Sequence, residues 1–464
     1  MEYFNPNNYA ELSDDSAMIQ AAVDAAAKTG AAVTIPRHNE RTDSDIWIIT
    51  RAIRLHTGSV IYLDNCHLRQ ADGVYENIFT NSNFASGLWK TREGRQYDIK
   101  VCGRGNATLD GGNHNGLTEM TRKEYGLPSC HCNSMFMFVN TERVVVENLR
   151  MVNQRYWAMT YHFSSFGRIS NIHFDAPETV PNQDGIDLRT GCSNFIIENI
   201  TGCTGDDTVA LTCLKSAYDE DMKAAQMDRS IHDVIIRNIT SSTPCSLVRL
   251  TNHSEKLIYN ILIENIMELA ENANSLYNPN PPLNNEVSRF RTGACVRIGE
   301  NCYCSDGRFA QLGETFNITV RNITGHMRMG VRLNCAVSDS TIENVKMSGA
   351  GGTAVYFGEG KMRNISVRDI SYPTIHFPCP TDDNRREGNY NRMRDVEALA
   401  DRHLFAVYFK GSDVDNVVFQ NIFASDKLTG VFGGTGKVHM HVQNVFRHSP
   451  DTVLLKGEGL EIEN

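Results

Sequence analysis

The sequence predicts an all-β protein, a parallel β-helix with a short capping helix at its N-terminus. A short phrase with an asparagine at a fixed place recurs along most of the chain, and an apolar triplet follows it. The shortest full repeat spans 22 to 23 residues, and a unit of that size cannot bury its apolar side alone. Because no helices separate the strands, the repeats are expected to stack as coils of parallel strands.

The chain opens with one clear helix signal. Residues 13–29 are rich in alanine, Asp14 or the serine before it can cap the first turn, and Gly30 ends the segment. Such a helix is suited to covering the open end of a sheet stack. We therefore assign residues 1–36 to an N-terminal cap and residues 37–464 to the β-helix, and treat the two as one domain.

The recurring phrase reads apolar-x-apolar-x-Asn-apolar, and in one copy an aspartate takes the place of the asparagine. The positions are Asn148, Asn171, Asn199, Asn238, Asn265, Asn322, Asn344, Asp369, Asn421 and Asn444. An asparagine at one turn position fits an inward-facing ladder in which each amide bonds the next. The alternative is a surface turn that merely tolerates the left-handed conformation.

An apolar-x-apolar triplet follows each phrase from Asn171 onward. The triplets begin at Ile186, Val209, Val248, Val296, Val331, Val355, Val407, Val431 and Val453. Alternate side chains of a strand face opposite ways, so the middle residue of a triplet is expected to point away from the core. In the first eight triplets these residues are Asp187, Ala210, Arg249, Arg297, Arg332, Tyr356, Tyr408 and Phe432.

Uneven spacings between phrase and triplet mark loop insertions near residues 214–229, 267–294 and 371–404. The last two fall in the same turn between strands, whereas the first lies on the other side of the triplet strand. Loops that extend from one side of a regular stack usually build a binding site.

Three carboxylates stand in glycine-flanked turns ahead of two successive triplets. Asp184 and Asp207 each precede a triplet by two residues, and Asp206 stands beside Asp207. If the interval from Asp184 to Asp207 is one coil, the two are expected to stack about 4.8 Å apart. Acids this close cannot all stay comfortably ionised, and paired acids with divergent pKa values suit general acid/base chemistry.

Beyond these acids, three successive triplets carry an arginine at the middle position. A single outward arginine on a β-surface is most often a plain solvated residue. Arg249, Arg297 and Arg332 in a row suit bidentate binding of a carboxylate or sulfate. Tyr356 and Tyr408 come next and can stack on sugar rings, or else only stabilise their strands. All five are candidates for substrate binding.

The stretch Leu149–Leu211 resembles glycoside hydrolase family 28, the pectin-degrading polygalacturonase family of right-handed parallel β-helices. The motifs that carry the resemblance are Asn153-Gln154-Arg155-Tyr156-Trp157, Pro181-Asn182-Gln183-Asp184-Gly185-Ile186-Asp187 and Gly205-Asp206-Asp207-Thr208-Val209-Ala210-Leu211. Residues 103–112 resemble the family's early glycine-rich coil, and the opening helix and strand resemble the cap of pectate-lyase-like proteins. The resemblance implies a right-handed β-helix and an O-glycosyl hydrolase that inverts configuration.

The same resemblance implies a role for each acid. Asp206 would be the general acid that protonates the leaving oxygen. Asp184 and Asp207 would hold and activate water on the opposite face of the sugar, as inverting enzymes require. Asn182, which opens the first acid motif, is a further candidate for substrate binding.

The chain departs from the family pattern at two places. Arg297 matches the arginine of the family's Arg-Ile-Lys motif, but Gly299 stands where the lysine would be. The family's Gly-His-Gly motif should fall near Cys245, and its histidine is missing. His253 lies nearby in sequence and is a substrate-binding candidate, while Arg249 can replace the lost positive charge. The chain is therefore expected to be a divergent member that acts on an anionic sugar.

Thirteen cysteines are scattered along the chain, mostly singly. Reduced, buried thiols are expected, because no signal peptide is recognisable. Cys130 with Cys132, and Cys302 with Cys304, have a C-x-C spacing that differs from the usual zinc-site spacing. We expect no metal and no cofactor.

These observations predict a glycoside hydrolase for an anionic, galacturonate-containing pectic oligo- or polysaccharide. One alternative is a polysaccharide lyase or epimerase on the same scaffold, with Ca²⁺ on the aspartates and an arginine such as Arg249 as base. The other is a non-catalytic glycan-binding β-helix. If the protein only binds glycans, replacing Asp206 by asparagine should leave its function intact.

The net charge and the apolar content of the chain bear on its expected partners and location. The net charge of −10 argues against general nucleic-acid binding. No apolar run approaches the roughly 20 residues of a membrane span, and Met1–Pro6 has no feature of a secretory signal. A cytoplasmic enzyme is expected, which would trim imported acidic oligosaccharides from one end. The oligomeric state stays open.

Overall fold

A computed structural model describes most of the chain. The described residues are 3–176, 182–243, 245–253, 255–269, 294–299, 307–325, 329–347, 353–372, 405–425 and 428–463. The insertions predicted near 267–294 and 371–404 lie almost entirely outside them. Within them, no helix is long and apolar enough to span a membrane.

The described residues fall into two compact units. Unit 1 comprises Met1–Ala210 and Lys215–Ile235, and unit 2 comprises Leu211–Leu214 and the described residues from Ile236 onward. The assignment of the chain to a single domain stays a prediction.

Four short α-helices and three 3₁₀ helices are present in the described part of the chain. The α-helices are α1 (Asp15–Thr29), α2 (Ser82–Ser86), α3 (Glu119–Tyr125) and α4 (Asp219–Ala224), and the 3₁₀ helices are Pro6–Tyr9, Leu88–Lys90 and Cys130–Asn133. All four α-helices belong to unit 1.

Strands make up most of the described structure. Among the described residues, every pair of strands whose register is defined is parallel. The strands that begin in unit 1 are β1 (Tyr3–Phe4), β2 (Ala32–Ile35), β3 (Ile46–Ile49), β4 (Ile53–Leu55), β5 (Val60–Asp64), β6 (His67–Gln70), β7 (Phe79–Asn81), β8 (Gln96–Arg104), β9 (Thr108–Asp110), β10 (Phe136–Val139), β11 (Thr141–Val152), β12 (Met159–His162), β13 (Arg168–Asp175), β14 (Ile186–Arg189), β15 (Ser193–Cys203), β16 (Val209–Cys213) and β17 (Ile231–Ser242). The later strands are β18 (Ser246–Asn252), β19 (Ile258–Glu268), β20 (Ala294–Ile298), β21 (Thr315–Gly325), β22 (Met329–Leu333), β23 (Val337–Met347), β24 (Thr353–Phe357), β25 (Lys361–Tyr372), β26 (Phe405–Ala424), β27 (Gly430–Arg447) and β28 (Val453–Glu463). The predicted fold class, a right-handed parallel β-helix with an N-terminal capping helix, is confirmed.

Helix α1 begins and ends as its sequence predicts. The Asp14 carboxylate accepts a hydrogen bond from the Ala17 N–H at 2.9 Å, and Gly30 takes the left-handed conformation that ends the helix. Asp15 is buried and accepts hydrogen bonds from the Arg41 side chain and the Ile48 N–H. These contacts attach the helix to β3, so that its apolar face covers the end of the sheet.

The core of unit 1 is built from equivalent residues on successive coils. Phe79, Phe136, Met159 and Ile186 align in register on strands β7, β10, β12 and β14. The rings of Phe79 and Phe136 stack with their centroids 5.3 Å apart. Aromatic stacking of this kind adds to the stabilisation from area burial.

Unit 2 repeats the arrangement with aliphatic residues. Val248, Val296, Val331, Val355 and Val407 pair in register along β18, β20, β22, β24 and β26. The residue after each valine forms the outer column, as the triplets predict. This register places Arg249, Arg297, Arg332, Tyr356 and Tyr408 side by side in sequence order.

The last two triplets are shifted from their predicted register, the first by one residue and the second by two. Val407 pairs with Phe432, so Phe432 is buried and Gly433 takes the outer position beside Tyr408. A Cβ atom on Gly433 would lie only 2.5 Å from the ring of Phe405. In β28 the shift is two residues, because Gly433 pairs with Lys456 rather than Leu454. A period of two cannot distinguish such neighbouring registers when both contain apolar residues.

The asparagine ladder is confirmed, but it faces solvent rather than the core. All ten positions have φ between 52° and 61°. Seven side-chain hydrogen bonds of 2.7–3.1 Å join successive members: Asn171–Asn148, Asn199–Asn171, Asn265–Asn238, Asn322–Asn265, Asn344–Asn322, Asn421–Asp369 and Asn444–Asn421. The ladder faces outward because each asparagine precedes an inward-facing apolar residue, such as Leu149 after Asn148. The amide ladder is therefore confirmed, the inward-facing orientation was wrong, and the left-handed surface turn of the alternative is also present.

A second row of left-handed residues lies five residues before the first. It includes Arg143, Asn194, Asp233, Asn260, Asn317, Asp339, Asn364 and Asn416. Three amide hydrogen bonds of 2.6–2.7 Å join its members: Asn317–Asn260, Asn364–Asp339 and Asn416–Asn364. Each coil thus bends twice, which keeps its apolar residues on the inside.

Candidate active site

The turns that carry the acids stand level on adjacent coils of unit 1. The Gly185 N–H donates to the Asp207 carbonyl at 3.0 Å, and the Ala158 N–H donates to the Asp184 carbonyl at the same distance. In a parallel ladder this pattern aligns Trp157, Asp184 and Asp207 in one column. The structure therefore brings Asp184 and Asp207 together as the sequence predicts.

Asp206 lies beside Asp207 in a turn fixed by hydrogen bonds. The Thr204 hydroxyl donates to the Asp206 carbonyl at 2.7 Å, and the Asp207 N–H donates to Asp206 Oδ1 at 3.0 Å. One carboxylate oxygen of Asp206 lies within 4.8 Å of one of Asp207. Asp206 is 9% exposed, against 1% for Asp184 and 0% for Asp207. Of the three acids, Asp206 is thus the most accessible.

Asn182 lies in the turn just before Asp184. Its φ of 60° is left-handed, a conformation that asparagine tolerates better than most residues. The next residue, Gln183, is buried, and its side-chain amide donates to the Gln154 carbonyl at 2.5 Å. This contact links two of the motifs singled out in the sequence.

Asp187 is a fourth buried carboxylate near the site. It occupies the middle position of its triplet, level with Thr160 on the preceding coil, and is fully buried. From the sequence, Asp187 is expected at the first outer position of the triplets, but no role in the site is assigned to it. Its position on the same strand as the Asp184 turn is the signal that marks it.

The insertion predicted near 214–229 folds back onto the outer face of earlier coils in unit 1. It contains α4, where Met222 packs in a buried cluster with Trp89, Met137 and Val139. Lys90 Nζ lies 3.1 Å from a carboxylate oxygen of Asp221 in the helix. The insertion therefore forms a fixed wall rather than a loose loop.

Arg189, which the sequence did not single out, lies at the end of β14. Its guanidinium carbon is 4.5 Å from the centre of the Trp157 ring. Trp157 came from a recognised motif but had no assigned role. The signal for Arg189 is its spacing, because it lies two residues after Asp187 and so shares that residue's face of the strand.

The predicted arginine row of unit 2 is in register, and most of it is buried. Arg249 is 6% exposed and Arg297 is 4% exposed. The guanidinium carbon of Arg332 lies 5.6 Å from the Tyr356 ring centre, and the Tyr356 and Tyr408 rings stack at 6.0 Å. Tyr356 is packed in an apolar cluster rather than exposed. Its stacking on sugar stays a prediction.

Gly299 shows why the family's lysine is absent. Its φ is 81°, and a Cβ atom there would lie 2.1 Å from Cys335 Sγ. No side chain fits without movement of Cys335. His253 lies just past the end of β18, and its backbone bridges antiparallel to Phe309. A role for His253 in substrate binding stays a prediction.

Several thiols are buried and free, as expected. They are Cys66, Cys102, Cys192 and Cys295. Burial raises the pKa of Cys66 and of Cys192 to about 12, so both stay protonated at neutral pH. Cys302 and Cys304 lie outside the described residues.

Residues 63–266 match the sequence profile of glycosyl hydrolases family 28. The matched segment contains every acid of the site and the motifs that surround them. The resemblance to family 28 is confirmed. The match supports a glycosidase on a polygalacturonase-like fold, in a chain that departs from the family at Gly299 and Cys245.

Solved structures resemble this chain in fold. PfbA, a surface adhesin of Streptococcus pneumoniae, is 14% identical with a TM-score of 0.51, and the match covers 98% of this chain and 93% of that one. The polygalacturonase of Erwinia carotovora ssp. carotovora is 12% identical with a TM-score of 0.45, over 97% and 94% of the two chains. The A-module of the mannuronan C-5 epimerase AlgE4 of Azotobacter vinelandii is also 12% identical, with a TM-score of 0.46, over 100% and 98%. At these identities the likeness concerns the fold alone.

Proposed function

We propose that the chain is a glycoside hydrolase that cleaves an anionic, galacturonate-containing pectic oligo- or polysaccharide by an inverting acid/base mechanism. One observation carries the proposal: Asp184 and Asp207 stand level on adjacent coils with Asp206 beside them, in the segment that matches family 28. Carboxyl groups on opposite sides of a glycosidic bond are the minimal machinery of such an enzyme.

In this mechanism Asp206 is the general acid. It gives its proton to the glycosidic oxygen as the bond to the anomeric carbon breaks. The Asp207 N–H donates to Asp206 Oδ1, which orients the carboxyl group that carries the proton. Its greater exposure suits a group that must reach a substrate oxygen.

Asp184 and Asp207 are the pair that holds the attacking water. The water loses its proton to this pair as its oxygen bonds the anomeric carbon from the side opposite the leaving group. Burial of both carboxylates in a strand-anchored turn keeps them oriented before substrate arrives. The products are a sugar with inverted configuration and a free hydroxyl on the leaving part.

The arginine row favours an anionic substrate. Arg249, Arg297 and Arg332 occupy successive outer positions in unit 2, and guanidinium groups match carboxylates in a bidentate geometry. Asn182, His253, Tyr356 and Tyr408 remain candidates for contacts with the sugar.

The decisive experiment measures release of reducing ends from pectic, sulfated and neutral oligosaccharides. Asp206→Asn should lower kcat by at least about 10²-fold, the usual contribution of a positioned acid. Glu220→Gln, an exposed change on α4, is the matched control and should keep full activity. NMR of the first product should show inverted configuration at the anomeric carbon.

Other outcomes would favour other functions. An unsaturated product that absorbs ultraviolet light, together with loss of activity in a chelator, would favour a lyase. Glycan binding without turnover, unchanged in Asp206→Asn, would favour a binding protein. Hydrolysis of neutral but not of anionic glycans would refute the substrate class. The cytoplasmic location stays a prediction.

A further inference from the structure

Arg189 is held in a stack of rings on the outer face of unit 1. Its guanidinium lies over one face of Trp157, and Tyr156 stacks against the Trp157 ring with a centroid distance of 4.7 Å and an angle of 23°. A cation over an indole ring gains electrostatic attraction, and the stacking limits its rotation. The rings thus orient the guanidinium, which pairs with no carboxylate among the described residues.

The stack places this positive charge close to the acids. Trp157 is level with Asp184 on the neighbouring coil, and the coils lie about 4.8 Å apart. Arg189 starts five residues after Asp184 along β14, so its contact with Trp157 brings its side chain back toward the Asp184 turn. The charge therefore lies within reach of a sugar bound beside Asp184.

The guanidinium has donors left for a ligand. Arg189 Nε is buried and has no hydrogen-bond partner in the described part of the chain. The side chain as a whole is half-buried. A partly desolvated guanidinium binds a carboxylate more strongly than a fully hydrated one, because less water must be displaced.

A continuous row of aromatic rings leads from this stack to the folded insertion. The ring centroids of His131 and Trp157 are 5.1 Å apart, and those of His131 and His162 are 5.8 Å apart. The ring centroids of His162 and Tyr218 are 4.8 Å apart, and each ring is edge-on to the next. Tyr218 belongs to the insertion near 214–229 and precedes α4. Within unit 1, these rings occupy the outer face of the coils that precede Asp184.

We propose that Arg189, oriented by Trp157, binds the carboxylate of the terminal sugar of an anionic glycan. The proposal rests on the proposed function and adds a subsite to it. The aromatic row fills the space in which a chain would otherwise continue past this sugar. The substrate then enters end first, and the enzyme releases short products from one end. Arg189 sets specificity for the terminal carboxylate, and Trp157 is a positioning residue.

The test compares two substrates in steady-state kinetics with the full chain. One is a galacturonate oligosaccharide, and the other is the same oligosaccharide with the carboxylate of the sugar at the closed end reduced to an alcohol. Arg189→Gln should raise KM for the acidic substrate by about 10- to 100-fold, with kcat changed by less than about threefold. For the reduced substrate, wild type and variant should have the same KM.

A conservative variant and a control separate binding from packing. Arg189→Lys keeps the charge but cannot form a bidentate contact, so its KM should fall between those of wild type and Arg189→Gln. Arg168→Gln removes an exposed arginine of unit 1 that pairs with Glu198, and should leave both KM values unchanged. Trp157→Phe should raise KM for the acidic substrate alone.

The outcomes distinguish this inference from the proposed function. An equal loss of activity on both substrates would show that Arg189 only supports the fold, and the subsite would be refuted. An unchanged KM would refute it as well, while the hydrolase assignment would stand. Random internal cleavage of long polymer by the wild type would refute the closed end. If wild type turns over no anionic glycan, both proposals fail together.

Discussion

Replacing Asn171 tests what the exposed ladder contributes to stability. Its side chain donates to Asn148 and accepts from Asn199, each at 2.9 Å, and its φ is 56°. An exposed hydrogen bond contributes about 0.5–1 kcal/mol, so two contribute about 1–2 kcal/mol. A left-handed alanine costs about 1 kcal/mol more than asparagine. Asn171→Ala should therefore lower the free energy of unfolding by about 2–3 kcal/mol.

Two matched variants divide this loss into its parts. Asn171→Gly removes the same hydrogen bonds but tolerates the left-handed turn, so it should cost about 1 kcal/mol less than alanine. Asn171→Asp keeps the acceptor for Asn199, as Asp369 does for Asn421 elsewhere in the ladder. It should be the least destabilised of the three.

The protein contains its own probe for this measurement. Trp47, Trp89 and Trp157 are the three tryptophans of the chain, and all lie in unit 1 with Asn171. Urea unfolding followed by tryptophan fluorescence thus reports on the unit that is perturbed. Equal losses in the alanine and glycine variants would refute the backbone argument. A loss below about 0.5 kcal/mol in both would refute the ladder itself.

Two further predictions concern other sites. Gly299→Lys, which restores the family's lysine, should lower stability by about 1–3 kcal/mol because its Cβ would meet Cys335; thermal unfolding and activity assays check this, and a stable, more active variant would contradict it. Burial alone would raise the pKa of Asp110, but hydrogen bonds from His67, the Gly112 N–H and Asn153 outweigh it and hold the pKa below the ordinary 3.8. This carboxylate therefore stabilises the fold above its unfolded pKa and loses that contribution as pH falls through the lower folded pKa. Urea titrations below pH 4 should show a steeper loss in wild type than in Asp110→Asn, and parallel curves would contradict this.

Periodicity predicted the elements that repeat, because repetition is what a single sequence can display. The ten-member ladder and the valine column of unit 2 were both identified from spacing. The second left-handed row was missed because its members are chemically mixed, with Arg143 and Asp233 among the asparagines. The shift at Phe432 was missed because Phe405, distant in sequence, fills the space beside Gly433. That packing exists only in three dimensions.

The candidate site likewise contains some residues that the sequence predicts and others that only the structure shows. Asp184, Asp206 and Asp207 are found from motif and spacing, since glycine-flanked turns before a strand are local features. Arg189 is not, because its contact with Trp157 joins two coils. The burial of Arg249 is likewise a property of packing, and a row of outward positions in sequence does not reveal it.

The contrast explains how this chain can depart from the family 28 pattern and still keep the acids. The level stacking of Asp184 and Asp207 depends on the backbone hydrogen bond from Gly185, and a Cβ at Gly185 would lie 2.5 Å from the Thr208 carbonyl oxygen. Only glycine permits this close approach, so the acid turns tolerate little change. The outer column tolerates more sequence change than the acid turns, because a strand accepts many side chains on a face that does not pack in the core. Arg249 lies in this column, so a proposed substrate-binding residue can differ from the family 28 pattern without moving the acid turns.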